Sequence, residues 1–251
     1  MRRLLSRIPE GAKAPLRRAK IWLTALPYRG NARWCPVCER STARFRPCGN
    51  PPRAEAQCPH CLSLERHRLA WLFLARRTDL FDGRPRTMLH VAPEFCFEPR
   101  LRERIGPGYL TADLSNRAMV RMDVERIQYP DEWFDVIFCS HVLEHVDDDR
   151  RAMREFARVL KRDGWAILLV PIMADVTYED ASITDPAERR RVFGQEDHVR
   201  RYGPDYADRL RETGFRVAIT GIADLVSPED AMRMGLTAAA GDIYFCTRAP
   251  R

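Results

Sequence analysis

The sequence predicts an α/β fold in which a mostly parallel sheet follows a small cysteine-rich module. Residues 134–172 read as strand, loop, helix, turn and strand, since two apolar runs flank a segment with helical periodicity. Their short connections predict parallel strands and a right-handed crossover. Further apolar runs at 87–91 and 109–112 add strands upstream, and two Cys-Pro-x-Cys motifs at 35–61 mark the module before the sheet.

Each predicted element within residues 134–172 has its own signal in the sequence. The run at 136–138 is typical of a strand buried on both faces. Asp147 and its acidic neighbours suit a helix N-terminus, where carboxylates meet unpaired N–H groups. Gly164, which follows two basic residues, predicts the end of that helix. The core-facing stripe of the helix is formed by Ala152, Met153, Phe156, Ala157 and Leu160.

Polar side chains follow the first strand of this segment. Ligands bind at the carboxyl ends of parallel strands, so Ser140, His141, Glu144 and His145 are predicted at the rim of the sheet. Glu144 and His145 form a compact acid/base pair, and histidine is the side chain best able to move a proton near neutral pH. The alternative is that this pair only caps the loop before the helix.

The remaining elements follow from the same patterns. A helix at 62–77 links the module to the sheet, and residues 173–191 are polar and aperiodic, typical of an active-site loop or lid. The other predicted strands are 119–122, 215–220 and 243–247. Two further helices are predicted. One begins near Pro204 and ends at Gly214, and the other spans 227–235.

The positive charge of the chain is concentrated at its beginning. The 251 residues carry a net charge of +7, and residues 1–30 contain eight basic residues and one acidic residue. The remaining residues contain 34 basic and 34 acidic side chains. The main domain is therefore not a generally basic nucleic-acid binder, and attraction to phosphate or anionic lipid would start from the arm at 1–30.

The arm lacks the features of an export signal. Arg7 and Pro9 interrupt its apolar residues, and no segment approaches the roughly 20 apolar residues of a membrane span. These observations predict a cytoplasmic protein. Residues 16–26 predict a short basic amphipathic helix that carries Trp22 and contacts RNA or a membrane surface. The alternative is an extension that packs on the domain or stays partly disordered.

Two Cys-Pro-x-Cys knuckles, separated by 19 residues, predict a metal site. Each knuckle can direct two thiolates at one ion, so Cys35, Cys38, Cys58 and Cys61 are predicted to bind a structural Zn²⁺. Disulfides are the alternative, which the lack of an export signal disfavours. Four thiolates leave no open position for catalysis. The cysteines at 96, 139 and 246 are interpreted as buried small hydrophobes.

The run FDVIFCSHVLEHVDD, followed by RVLKRDGWAILLVP, resembles the class I S-adenosylmethionine-dependent methyltransferases, in particular the type 11 group. The resemblance extends over about residues 87–248. It implies a Rossmann-like seven-stranded methyltransferase sheet, with an antiparallel last strand, behind a small N-terminal zinc-binding module. The domains would then be a basic arm at 1–30, a zinc-binding knuckle at 31–62 and a methyltransferase domain at 63–251.

The same resemblance implies an S-adenosylmethionine site. Asp113 would accept hydrogen bonds from both ribose hydroxyls, and Asp123 would contact the adenine amino group. The loop after the first strand departs from the glycine-rich pattern of the family and reads HVAPE, as in some zinc-headed members. The implied cofactor contacts are His90, Ala92, Glu94, Asp113, Leu114, Asp123, Val124, Ser140 and His141.

The methyl acceptor is predicted to be a small molecule or a saccharide. Glu144, His145 and His198 are the predicted catalytic residues, with Tyr202 beside them in the polar segment 195–202, where type 11 relatives place substrate contacts. One alternative is an RNA methyltransferase that uses residues 1–62 for RNA contact. Another is a degenerate, non-binding domain whose cleft would be filled by Phe95 or Phe97.

Overall fold

The computed structural model describes residues 19–115 and 118–250. These residues form two compact units. The first contains the described residues up to Arg76 together with Val226–Ala240, and the second contains Arg77–Leu225 with the described residues from Gly241 onward. Residues 1–18, which hold most of the predicted basic arm, lie outside the described residues.

The elements of the described chain are short strands followed by an alternation of strands and helices. The strands are β1 (Arg33–Cys35), β2 (Arg40–Thr42), β3 (Arg46–Cys48), β4 (Arg53–Gln57), β5 (Met88–Val91), β6 (Tyr109–Asp113), β7 (Val120–Arg121), β8 (Phe134–Ser140), β9 (Leu160–Leu169), β10 (Tyr178–Glu179), β11 (Arg200–Arg201), β12 (Phe215–Thr220) and β13 (Ile243–Arg248). From residue 65 onward, the α-helices are α1 (Glu65–Arg77), α2 (Glu98–Ile105), α3 (Asp149–Val159), α4 (Pro186–Phe193), α5 (Tyr206–Glu212) and α6 (Pro228–Arg233).

The first unit is centred on a buried arginine. It contains two antiparallel hairpins, β1–β2 and β3–β4, with α1 and α6. The Arg68 guanidinium lies 4.2 Å from the centre of the Phe45 ring, and its NH groups donate to the carbonyls of Ala56, Ser63 and Gly235 at 3.0, 3.0 and 2.8 Å. A charge buried in this way needs such partners, so Arg68 ties the knuckle region to α1 and to the turn after α6.

Residues 19–25 are helical, in agreement with the helix predicted at 16–26 for the part that is described. Trp22 and Leu23 of this helix are 58% and 56% exposed. None of the described helices is long and apolar enough to cross a bilayer.

The second unit is built on a seven-stranded sheet with the order β12-β13-β9-β8-β5-β6-β7. Strand β13 is antiparallel to β9 and β12, and the other neighbours are parallel. The central strands β5 and β8 are almost completely buried, as their apolar runs predict. The predicted mostly parallel, Rossmann-like sheet is therefore confirmed.

One helix boundary differs from the prediction. Helix α3 ends at Val159 and β9 begins at Leu160, which pairs with Phe134 before an irregularity in register. Gly164 does not end the helix. A Cβ at Gly164 would lie 2.7 Å from the carbonyl oxygen of Asp135, so glycine is required by the close approach of the two strands.

The predicted polar loop at 173–191 contains regular structure. It holds β10 and most of α4, and β10 pairs antiparallel with β11, aligning Glu179 with Arg200. This pairing brings the segment after β9 to the segment 197–202, which follows α4.

Candidate functional site

A cleft lies at the carboxyl ends of β5, β6 and β8. Its volume is about 510 Å³. In the sheet, β6 and β7 follow on one side of β5, whereas β9 lies on the far side of the neighbouring β8. The direction of chain connection therefore reverses between β5 and β8, and doubly wound sheets bind their ligands at such a switch point. The lining residues are Val91, Ala92, Asp113, Leu114, Met122, Asp123, Val124, Glu125, His141, Val142, His145, Val146, Asp147 and Asp197.

The loop after β5 takes a glycine-like turn without a glycine. Ala92 has φ of +49°, in the left-handed region that side chains with a Cβ rarely occupy, and its N–H donates to the carbonyl of Ala112 at 2.7 Å. His141, at the start of the loop after β8, has φ of +56°. Each such residue costs on the order of 1–3 kcal/mol, and strain of this kind concentrates at ligand sites.

The two aspartates predicted to hold the nucleoside line one side of the cleft. Asp113 Oδ1 accepts from the backbone N of Ser115 at 2.6 Å, and Asp123 Oδ1 accepts from the N of Glu125 at 2.9 Å. These turns fix the orientation of both carboxylates at the strand ends. Leu114, which is 68% exposed, offers an apolar surface next to Asp113.

Other predicted cofactor residues lie beneath the cleft. His90 is fully buried, and its Nδ1 and Nε2 contact the Tyr109 hydroxyl at 2.6 Å and Glu94 Oε2 at 2.5 Å. Ser140 is also buried. His90 therefore orients Glu94 from below the loop. Neither Phe95 nor Phe97 is among the lining residues, and Phe97 packs edge-on against Phe138 in the core.

The three predicted catalytic residues come together at one end of the cleft. Glu144 and His145 lie in a short 3₁₀ turn after β8, and His198 precedes β11. One oxygen or nitrogen ligand atom from each residue lies within 4.8 Å of the other two. The imidazoles of His145 and His198 meet edge-to-face with ring centres 4.6 Å apart. His145 lines the cleft, whereas Glu144 and His198 are 1% and 2% exposed.

Burial and hydrogen bonds determine the tautomer and the charge of His198 in this group of three residues. The carbonyl of Phe193 lies 3.2 Å from His198 Nδ1, which places the N–H on Nδ1. Burial lowers the pKa of His198, so its imidazole is neutral at physiological pH. Glu144 Oε1 lies 3.3 Å from His141 Nδ1. In the described part of the chain, Glu144 Oε2 and His198 Nε2 are buried without a hydrogen-bond partner.

The turn that carries Glu144 and His145 is held by a buried arginine. Arg200 donates to the carbonyls of Leu143 at 2.7 Å and Asp147 at 2.8 Å, and the N–H of Val199 donates to the carbonyl of Glu144 at 2.9 Å. The segment predicted to contact substrate therefore supports the turn that carries Glu144 and His145 through Arg200.

An ionic network that is buried except for Glu179 anchors that arginine. Asp149 accepts from the Tyr202 hydroxyl at 2.6 Å and from Arg209 Nη1 at 3.1 Å, and Glu179 pairs with both Arg200 and Arg209. Tyr202 is fully buried and does not line the cleft. Burial by itself would raise the pKa of Glu179, but hydrogen bonds from the two guanidinium groups lower that pKa to about 2.

Several residues that line the cleft, and the ionic network around Asp149, were not predicted from the sequence. Asp197 and Glu125 lie next to predicted site residues, and their positions beside His198 and Val124 were the signal that could have found them. Asp149 was interpreted only as a helix-terminal acid, because the partners of its carboxylate come from segments distant in sequence.

The four knuckle cysteines lie together in the first unit. The Sγ atoms of Cys35 and Cys61, and those of Cys38 and Cys58, are 3.7 Å apart, and all four lie within 4.8 Å of one another. A disulfide requires about 2.05 Å. Zn–S bonds of about 2.3 Å around a tetrahedral ion place sulfurs roughly 3.8 Å apart. The cluster therefore has the dimensions of a four-thiolate metal site.

Residues 103–168 match the type 11 family model described as "Methyltransferase domain". This stretch is therefore similar to part of a methyltransferase domain. The match confirms the predicted resemblance and supports the predicted enzyme class, an S-adenosylmethionine-dependent methyltransferase. A curated relative, the uncharacterized methyltransferase YcgJ of Bacillus subtilis, is 47% identical over 45 residues, which are 18% of this chain and 18% of that protein. The chain therefore matches less than a fifth of this relative.

Solved structures similar to this chain have low sequence identity to it. An S-adenosylmethionine-dependent methyltransferase from Mesorhizobium loti is 14% identical, with a TM-score of 0.47 over 66% of this chain and 92% of that chain. A chain from a complex between the Haloferax volcanii Trm112 methyltransferase activator and a methyltransferase is 15% identical, with a TM-score of 0.45 over 72% of this chain and 97% of that chain.

Proposed function

We propose that the protein transfers a methyl group from S-adenosylmethionine to a small-molecule or saccharide acceptor. The observation that carries this proposal is the cleft at the switch point of the sheet, which has aspartates on one side and an acid/base group at one end. Its volume of about 510 Å³ lies within the usual range for cofactor and substrate pockets.

The strand ends offer the groups that the cofactor needs. Asp113 presents a carboxylate to the ribose hydroxyls and Asp123 presents one to the adenine amino group, and charge-assisted hydrogen bonds of this kind are strong. The turn at Ala92 lets the backbone approach the methionine end. Methyl transfer depends mainly on alignment of the donor with an acceptor lone pair, and Glu144, His145 and His198 are placed to orient that acceptor.

The open cleft disfavours a degenerate domain. Such a domain would fill the cofactor space with side chains, and Phe97 was a candidate for this role. Phe97 instead packs below the cleft against Phe138 and His90. The space above Ala92 and Asp113 is left for a ligand.

Zn²⁺ in the knuckle is proposed as a structural ion. The residues fit it, since four cysteines supply all ligands and the backbone N–H of His60 lies 3.4 Å from the Cys58 sulfur, where it would stabilise a thiolate. Zinc would supply folding free energy to a unit with a small core of its own.

Asp113→Ala is expected to weaken binding of S-adenosylhomocysteine by about 1.5–3 kcal/mol, roughly 10- to 150-fold, because hydrogen bonds to a charged acceptor are lost. Calorimetry measures the change. Asp163→Ala is the matched control, since Asp163 is an exposed aspartate that does not line the cleft. Wild-type protein that binds no S-adenosylhomocysteine would contradict the proposed function.

RNA is the second candidate acceptor, favoured by the net charge of +7 on residues 1–30. If RNA is bound there, the affinity should fall steeply between about 50 and 200 mM salt through counterion release, and deletion of residues 1–30 should abolish binding. The rest of the chain is balanced in charge, which favours the small acceptor. Tight RNA binding with a steep salt slope in a filter-binding assay would overturn that preference.

A further inference from the structure

Two buried polar atoms at the end of the cleft lack partners. Glu144 Oε2 and His198 Nε2 make no hydrogen bond in the described part of the chain, and both side chains are at least 98% buried. A buried acceptor without a partner costs about 1–3 kcal/mol, and a charged one costs more. A pair of such atoms in one place, beside the half-exposed His145, indicates a missing ligand that accepts electron pairs.

The histidines are oriented as metal ligands are. Ligating imidazoles usually donate their second ring N–H to a carbonyl or carboxylate, which fixes the tautomer and directs the other lone pair at the metal. His198 Nδ1 meets the carbonyl of Phe193 at 3.2 Å, and His145 Nδ1 meets the carbonyl oxygen and Oδ2 of Asp197, each at 3.3 Å. Both Nε2 atoms are then left with a lone pair.

The donor set also selects a class of cation. Two imidazoles and one carboxylate suit first-row transition cations such as Zn²⁺, Mn²⁺ or Fe²⁺ better than Mg²⁺ or Ca²⁺, which prefer oxygen ligands. The ligand atoms lie within 4.8 Å of one another, and ligands around one such cation are roughly 3–3.5 Å apart. Bringing the ligand atoms to that spacing requires them to approach one another by up to roughly 1.3–1.8 Å.

We propose that Glu144, His145 and His198 bind a divalent transition-metal cation, and that the methyl acceptor is a hydroxyl compound whose oxygen occupies an open position on this cation. The cation site stands on the geometry alone, and its role in catalysis rests on the proposed function. Three protein ligands leave open coordination positions, and His145 lies on the wall of the cleft. The acceptor oxygen would thus be held next to the donor methyl group.

The cation activates the acceptor hydroxyl before the methyl group is transferred. Coordination lowers the pKa of the hydroxyl, whose proton leaves to water in the open cleft. The oxygen then forms a bond to the methyl carbon while the carbon–sulfur bond breaks, and the electron pair of that bond remains on sulfur as a neutral thioether. His145 and His198 need not act as bases, which distinguishes this arrangement from acid/base catalysis by the same residues.

Titration with Mn²⁺, followed by electron paramagnetic resonance of the free ion, tests the site in the full-length protein. Mn²⁺ is suitable because soft thiolates bind it poorly, so the cysteine cluster does not interfere. We expect one Mn²⁺ per chain, with enhanced relaxation of water protons, since water occupies the positions that the acceptor would take. Absence of Mn²⁺ binding below about 1 mM would overturn the site, and binding without water relaxation would overturn its role in holding the acceptor.

Two variants and one control assign the ligands. His198→Ala and Glu144→Gln should each weaken Mn²⁺ binding at least about tenfold. Glu196→Gln makes the same chemical change two residues from His198, outside the cluster, and should leave binding unchanged.

Calorimetry with S-adenosylhomocysteine on the same proteins separates the two proposals. Cofactor binding without Mn²⁺ binding overturns only the cation site, and Mn²⁺ binding without cofactor binding overturns only the proposed function. Mn²⁺ binding that persists in both variants would overturn the assigned ligands.

Discussion

Replacing Cys58 by serine is expected to release one zinc ion per chain and to unfold the cysteine-rich unit. A structural Zn²⁺ in a small four-ligand module contributes about 10–16 kcal/mol of binding free energy, most of which is folding free energy. The two hairpins β1–β2 and β3–β4 have few buried apolar side chains besides the cysteines themselves. Metal analysis after dialysis and limited proteolysis of residues 31–62 measure the two effects.

Cys48→Ser is the matched control for this experiment. Cys48 lies in β3 of the same unit, is half-buried and is not part of the four-cysteine cluster. Its zinc content and proteolysis pattern should equal those of the wild type. A protein whose metal content is unchanged by Cys58→Ser, or whose knuckle cysteines are oxidised to disulfides, would contradict the proposed zinc site.

The knuckle and the sheet could be predicted because their signals are local. Each Cys-Pro-x-Cys turn places two thiolates side by side, and a separation of 19 residues allows two such turns to share one ion. The buried strands β5 and β8 are apolar runs, and their ends mark the rim of the sheet without further information. The end of helix α3 could not be predicted in this way. Gly164 is required by a contact with the carbonyl of Asp135, which is distant in sequence.

The sequence predicts the approximate position of the cleft but not how deeply each residue is buried. Asp113, Asp123 and His141 follow strands and line the cleft. His90 is on the same rim by sequence, but the side-chain alternation of β5 turns it into the core beside Phe138. Arg200 and Tyr202 form a polar run that is typical of an exposed loop. Their burial depends on Asp149 and Glu179, and no periodicity within 195–202 reveals those partners.

Asp149→Ala is expected to destabilise the second unit by about 3 kcal/mol. The substitution leaves Arg209 and the Tyr202 hydroxyl without the carboxylate that they share, and removing one partner of a buried ion pair costs about 3–5 kcal/mol. The value should lie near the lower limit, because Glu179 still pairs with Arg209. Urea denaturation followed by circular dichroism measures the change in unfolding free energy.

The neighbouring residue provides the control that separates the network from the helix terminus. Asp148 is the N-cap of α3, where its side chain accepts from the N–H of Arg151 at 2.8 Å, and Asp148→Ala should cost only about 1 kcal/mol. Asp149→Asn keeps a neutral acceptor for Tyr202 and should lie between the two alanine variants. If Asp149→Ala costs no more than Asp148→Ala, the buried network does not hold the second unit together. The turn that carries Glu144 and His145 would then need another support, since Arg200 binds that turn from within the same network.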